Sequence, residues 1–252
     1  MRGGEALQQV TIEKIVYFIV ESFPHITVTF TYVFCSLIFG VLIGVVIAKM
    51  RMSKKKILIG IADLYTTITR CTPSIVLLFL VFYGLPAILK NNFGIDMDNV
   101  DTIFFVSVTF SIFIGASSSE IIRSSYEAVN SGQREAGLSA GLSEFQTFYR
   151  IIFPQMLKNA IPNIGNTIIF LVKEGSLAYT IGLQDVLGRA YFLSARDVNA
   201  YALNMYIALT LIYWPIAVLL EKLFTLLEKK LTPERKKRKK EETNEFRLSI
   251  HS

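Results

Sequence analysis

Residues 133–155 read QREAGLSAGLSEFQTFYRIIFPQ, a polar, helix-prone stretch set between long apolar runs. Leu138, Leu142, Phe145, Phe148, Tyr149 and Ile152 fall on one face of a helix drawn through it. Ser139, Ser143, Glu144 and Thr147 fall on others. Ala136, Gly137, Ala140 and Gly141 leave a surface without bulk, so another backbone can come close. Pro154 limits the helix and starts a new element. One bare face and one apolar face on a short helix suit docking into a groove on a partner. The same pattern also fits an amphipathic loop helix lying on its own protein.

On either side of this stretch the chain is built for a membrane. Ile26–Ala48 and Val198–Leu220 each run 23 residues without a charge, about the number a helix needs to cross a bilayer. Ile57–Leu89 is a second apolar region, interrupted by Asp63, Arg70 and Pro73; Thr102–Ser119 is a third, ending in Ser117-Ser118-Ser119. Asn159–Leu183 is a further span, broken by Pro162 and by Lys173-Glu174-Gly175. The fold class is therefore all-α: a polytopic membrane protein with five transmembrane helices and a polar loop helix between the third and fourth. Of the 252 residues 52% are hydrophobic and 18% charged, with mean hydropathy +0.46; a soluble domain carries about 25% charged residues. The expected organisation is an N-terminal interfacial segment (1–25), a transmembrane domain (26–228, with the loop at about 133–155) and a basic tail (229–252). Within the first segment Ile15–Val20 is too short to span. The first ten residues are polar, and no short apolar core with a small-residue cleavage site follows, so a cleavable signal peptide is not expected.

Five spans put the two ends on opposite sides, and basic residues set which is which. The side carrying the Lys49–Lys56 loop, the 133–155 loop and the C-terminus holds nineteen Lys and Arg; the other side holds five. This places the N-terminus outside and the C-terminus and loop in the cytoplasm. The run Lys236-Lys237-Arg238-Lys239-Lys240 supplies much of the net charge of +6. It reads as a topology anchor that can also rest on anionic lipid, and it gives no reason to expect nucleic acid. Cys35 and Cys71 both lie in apolar runs and read as small buried hydrophobes. His25 and His251 stand apart. No cofactor, metal site or catalytic cluster is expected. No G-x-x-x-x-G-K-[S/T], H-E-x-x-H or G-x-S-x-G motif occurs in the sequence. A chain like this has no phosphate loop of its own, so uphill transport would need a separate ATPase.

The motifs narrow the reading. Glu135-Ala136-Gly137, then Gly141, then Ile151 and Pro154 resemble, in spacing, the EAA loop of membrane subunits of ABC importers. Gly137 stands where a second alanine is common, and Phe153 where leucine is. The resemblance implies that Glu135, Ala136, Gly137, Leu138, Ala140, Gly141 and Leu142 form a coupling helix docked on a cytoplasmic ATPase. Thr69-Arg70-Cys71-Thr72-Pro73 with Phe79–Pro86 (FLVFYGLP) resembles the R-G-T-P…Y-G-L-P stretch of polar amino-acid permeases of type I importers. Glu120-Ile121-Ile122-Arg123 resembles their E-x-x-R, and Pro154-Gln155, Pro162–Asn166 and Lys173–Leu177 their P-Q…P-x-x-G-N…K-x-x-S-L. The matches cover roughly residues 26–228. They imply a non-catalytic permease subunit that works with ABC ATPase subunits, an extracellular solute-binding protein and a second permease subunit, identical or related, in the lipid bilayer. The implied cargo is a polar L-amino acid, with an opine or a sulfur compound such as cystine as the alternative. An ion-gradient-driven transporter is a further alternative, which uptake without ATP would favour.

At about 1.5 Å per residue, Arg70 lies about 20 Å in from the cytoplasmic end of its span, and Lys173 and Glu174 lie at similar depth. Charges that deep face a partner or a watery cavity. Two arrangements stay open. Arg70 or Lys173 meets a substrate carboxylate and Glu174 its ammonium, or Arg70 and Glu174 pair with each other. Gly175 and Pro162 suit a locally irregular helix whose freed backbone groups contact a ligand. Ser117, Glu120 and Ser176 complete the candidate pathway, with Glu120 and Arg123 read as a local pair at an inner gate.

Overall fold

The computed structural model describes residues 11–196 and 200–231, and every regular element among them is a helix. The elements are α1 Ile12–Ser22, α2 Ile26–Arg51, α3 Lys56–Cys71, α4 Ser74–Phe79, α5 Leu85–Phe93, α6 Thr102–Glu127, α7 Ser131–Ser139, α8 Glu144–Thr147, α9 Phe153–Glu174, α10 Val186–Arg196 and α11 Ala202–Leu231. Among the described residues four stretches are long and apolar enough to cross a membrane: Ile12–Arg51, Ser74–Phe93, Thr102–Glu127 and Ala202–Leu231.

These boundaries follow from local chemistry. Lys49 and Arg51 close α2, where cations complement the negative end of the helix dipole. The expected span 57–89 is two helices. Pro73 cannot donate to a helix and drives Thr72 to an extended backbone (φ −86°, ψ 129°), so α3 stops and α4 starts afresh. A π-turn at Leu80–Gly84 joins α4 to α5. The expected span 159–183 is α9 followed by a 3-10 turn, Gly175–Ile181. Its one polar face, with Asn159, Asn163, Asn166 and Lys173, sets it apart from the four more apolar stretches. The lead-in 15–20 belongs to α1, whose Phe18 is buried. Most of the basic tail lies outside the described residues.

The described part divides into two compact units. The first takes in the described residues of 1–120 and 167–218, the second those of 121–166 and 219–252. In the first unit Phe18 of α1 packs with Val186, Ala190 and Leu193 of α10 and Met205, Leu209 and Ile212 of α11. The Tyr32 ring of α2 stacks on Phe110 of α6 at 6.4 Å. The Ser36 hydroxyl donates to the Ser107 carbonyl at 3.3 Å, and the Tyr65 hydroxyl of α3 to the Ile112 carbonyl at 2.6 Å. Burial of the apolar stretches is uneven: 56% for α6 against 11% for Ser74–Phe93. So α6 is enclosed by protein, while α4 and α5 present bare apolar surface, which only lipid or another subunit could cover stably.

Candidate functional site: a capped hairpin and two open cavities

The stretch 133–155 is two helices. Asn130 caps α7, its side chain accepting from the Gly132 N–H at 2.8 Å. The helix ends in a Schellman motif. Gly141 sits at φ +81°, its N–H bonds the Leu138 carbonyl at 3.0 Å, and the Leu142 N–H bonds the Gly137 carbonyl at 3.1 Å. Ser143 and Gln146 then form a reciprocal capping box that starts α8. Arg134 pairs with Glu144 across the turn. This reversal breaks the single apolar face expected from sequence. A π-turn at Phe148–Ile152 shifts the register again. Ile152 is buried and Leu138 and Leu142 half-buried, whereas Phe145, Tyr149 and Phe153 stack outward in a ladder, with ring centroids 6.1 and 5.8 Å apart.

The small residues separate by role. Gly137 faces inward, where an added Cβ would lie 2.6 Å from Thr147 Cγ2. Glu135, Ala136, Ala140 and Gly141 are exposed. Glu135 also borders a cavity of about 290 Å³ with Tyr126, Asn130, Arg134 and Ile152. Thr147 and the Ser143–Gln146 box were missed from the sequence. The S-x-x-Q spacing was the available signal for the box, and none marks Thr147.

The deep charges divide between two cavities in the first unit. One, of about 400 Å³, is lined by Arg70, Cys71, Ser74, Phe113, Phe170 and Glu174. The Ser74 hydroxyl donates to Glu174 Oε2, and Phe113 and Phe170 stack at 5.7 Å on its wall. Arg70 and Glu174 share this cavity, yet among the described residues no ion pair joins them. Lys173 is turned to the other cavity, of about 310 Å³, with Ser176, Tyr206, Thr210 and Tyr213. Successive residues of a helix point about 100° apart, which is why Lys173 and Glu174 separate. Ser117 is half-buried on α6 and lines neither cavity. Glu120 accepts from Arg51 Nη1, and Arg51 Nε donates to Asp63 at 2.8 Å, tying the end of α2 to α3 and α6. Arg123 grips both carboxylate oxygens of Glu127 at 2.8 and 2.6 Å. Among the described residues no cluster of three His, Cys, Asp or Glu could hold a metal.

Long uncovered apolar helices, charged groups lining open cavities and a capped polar hairpin fit a multi-pass membrane protein. The chain belongs to the family of binding-protein-dependent transport system inner membrane components, which it matches over residues 40–233. It is 37% identical over 227 residues to the L-cystine transport system permease protein TcyL of Bacillus subtilis, covering 90% of this chain and 92% of that one. It is 33% identical to the nopaline transport system permease protein NocM of Agrobacterium fabrum, covering 85% and 91%. Its fold matches a crystallised amino acid ABC transporter solved with histidines, at TM-score 0.72 and 28% identity over 88% of this chain and 99% of that one. The inward-facing MetNI methionine ABC transporter matches at 0.67 and 16% identity, covering 88% and 100%. This protein is accordingly a permease subunit of an ABC importer, with the type I membrane-domain fold.

Proposed function

We propose that this permease carries a polar L-amino acid, received from an extracellular solute-binding protein, through a pathway that includes the Arg70–Glu174 cavity. The carrying observation is the pairing of opposite charges without contact: a guanidinium and a carboxylate line one space of about 400 Å³. A zwitterion offers a carboxylate to the first and an ammonium to the second. Ser74 holds Glu174 in place, and the Phe113–Phe170 wall can take part of the side chain.

In this reading α9 with its 3-10 turn is a fifth span, the N-terminus is outside, and the C-terminus and α7–α8 are cytoplasmic. Glu135, Ala136, Leu138, Ala140, Gly141 and Leu142 meet a cytoplasmic ATPase, and Gly137 holds that helix onto α8. Closure of two ATPase subunits on ATP rotates the spans between outward-open and inward-open states. A second permease subunit, identical or related, covers part of the bare apolar surface. Cystine is the second reading, favoured by the 37% identity to a cystine permease; an opine remains compatible with the same head-group chemistry. Uptake into proteoliposomes holding the permease, its co-purified ATPase and the binding protein tests both. Saturable, ATP-dependent uptake of one member of a panel of amino acids, cystine and opines supports the proposal. Uptake driven by an ion gradient without ATP overturns it.

A further inference from the structure

The hairpin arm that leads into α9 carries an aromatic surface to which the transport reading gives no work. Phe145, Tyr149 and Phe153 stack as a ladder, and Phe148 joins it, its ring centroid 6.2 Å from that of Phe153. All four are exposed, Phe145 by 75% and Tyr149 by 62%. Their direction is fixed by what lies behind them. Thr147 and Ile152 are buried, and Thr147 and Ile151 are the side chains that a Cβ on Gly137 of α7 would meet. One face of this arm is therefore taken up by α7, and the rings are left on the outside. Leu157, one turn further along α9 from Phe153, is exposed too and extends the surface.

Charge says what covers it. From Phe145 to Lys158 the sequence has two cations, Arg150 and Lys158, and no aspartate or glutamate. Both cations are exposed, and among the described residues neither makes an ion pair. Glu144, the acid next to the ladder, is held by Arg134. A contiguous apolar patch of this kind marks a surface that meets a partner or a membrane. Anionic phospholipid meets both needs at once, with acyl chains for the rings and phosphates for the cations. Tyr149 offers a hydroxyl to the headgroup layer. Lys158 has a stem long enough to return its ammonium to that layer from further along α9. The order of the chain agrees. The ladder runs into the first residue of α9, which is a span in the transport reading, so it lies where the chain enters the bilayer.

Resting on the cytoplasmic placement of α7 and α8, we propose that Phe145, Phe148, Tyr149 and Phe153, with Arg150 and Lys158, dock the hairpin on the anionic phospholipid of the cytoplasmic leaflet. The bilayer then holds one arm and leaves Glu135, Ala136 and Ala140 of the other arm to a protein partner. The Gly137–Thr147 contact joins the arms, so lipid charge bears on the stance of the partner-facing helix.

The test places a tryptophan in the ladder of the full-length permease. Trp214 is the one tryptophan of the chain, so Tyr149→Trp is made together with Trp214→Phe. The protein is set in nanodiscs of phosphatidylcholine and phosphatidylglycerol, with one or the other brominated. Bromine near the headgroup should quench the emission more than bromine near the chain ends. Phosphatidylglycerol should be enriched at the probe by about fivefold over phosphatidylcholine, the factor that matches about 1 kcal/mol for a cation at an anionic surface. Arg150→Gln with Lys158→Gln should remove that preference and keep the quenching. If Tyr149→Trp does not accumulate, Phe145→Trp decides in the same way. In the assembled importer, benzoylphenylalanine in place of Phe148 should cross-link to phospholipid. Emission that no brominated lipid quenches, quenching without preference between the two lipids, or cross-linking to the ATPase or a second permease in place of lipid overturns the proposal. None of these readouts involves the cargo, so they leave the uptake reading standing. A Ser139→Cys that an impermeant maleimide labels from outside intact cells, above the parent chain, would instead overturn the cytoplasmic placement and with it the choice of leaflet.

Discussion

Gly137 of α7 and Thr147 at the end of α8 lie so close that a methyl group on the glycine would sit 2.6 Å from Thr147 Cγ2. This contact, with the Schellman turn between the helices, holds the 131–147 segment as a hairpin. Gly137→Ala should therefore splay α7 from α8 and lower ATP-dependent uptake several-fold while the chain still reaches the membrane. Thr147→Ala in the same chain should restore part of it, because the two changes act on one contact. Gly141→Ala should not be rescued. Nothing lies within 4 Å of it, and its cost, about 1–2 kcal/mol, comes from forcing a side chain into a left-handed backbone. Uptake and ATPase activity measured together on the four variants check this, and equal rescue of both glycines would contradict it.

Ser143 supports the second arm of the hairpin. Its hydroxyl accepts the Gln146 N–H at 3.2 Å, and the Gln146 side chain returns to the Ser143 N–H at 3.0 Å. Ser143→Ala should cost about 1 kcal/mol of local stability and Ser143→Asp much less. Hydrogen exchange of amides 143–148 reports this directly. Faster exchange by about fivefold is expected in the alanine variant alone, as 1 kcal/mol corresponds to that factor.

At the end of α2, Arg51 holds Asp63 of α3 and Glu120 of α6 at once, with 19% of its side chain exposed. Its planar fork serves two acceptors, which a lysine cannot copy. Arg51→Lys and Arg51→Gln should both loosen this end. The two carboxylates are half-open to solvent, so the loss should be on the order of 1 kcal/mol and should shrink as salt rises. Melting curves at 0.05 and 0.5 M salt measure it. A loss that does not change with salt would assign Arg51 a packing role instead.

How much of this was legible in the sequence depends on the range of the interaction. Runs such as Ile26–Ala48 marked helices because a bilayer demands length and apolarity, which are local properties. Pro73 marked an interruption of 57–89, and the structure makes it the boundary between two helices. The hairpin at Gly141 was harder. A 3.6-residue pattern runs across it unbroken, so Leu138 and Phe145 seemed to share a face, and only the positive φ of one glycine parts them. Arg51 counted in the sequence as a topology charge. Its two acceptors lie 12 and 69 residues away, a pairing that no spacing rule contains.

The separation of Lys173 from Glu174 makes the substrate pathway testable at single-residue level. Glu174 shares a cavity with Arg70; Lys173 faces tyrosines in another. If the zwitterion is held between Arg70 and Glu174, Glu174→Gln keeps the shape and a bond to Ser74 but removes the charge that meets the ammonium. Losing a charge-assisted hydrogen bond, about 1.5–3 kcal/mol, should raise the substrate concentration for half-maximal uptake about 10- to 100-fold. Lys173→Gln should change it far less. Cys71 gives an independent reading, since it is exposed on the wall of the same cavity. A small charged thiol reagent should modify Cys71, and the transported amino acid should slow that reaction in wild type but not in Glu174→Gln. Protection that survives Glu174→Gln and disappears in Lys173→Gln would move the substrate to the tyrosine-lined cavity.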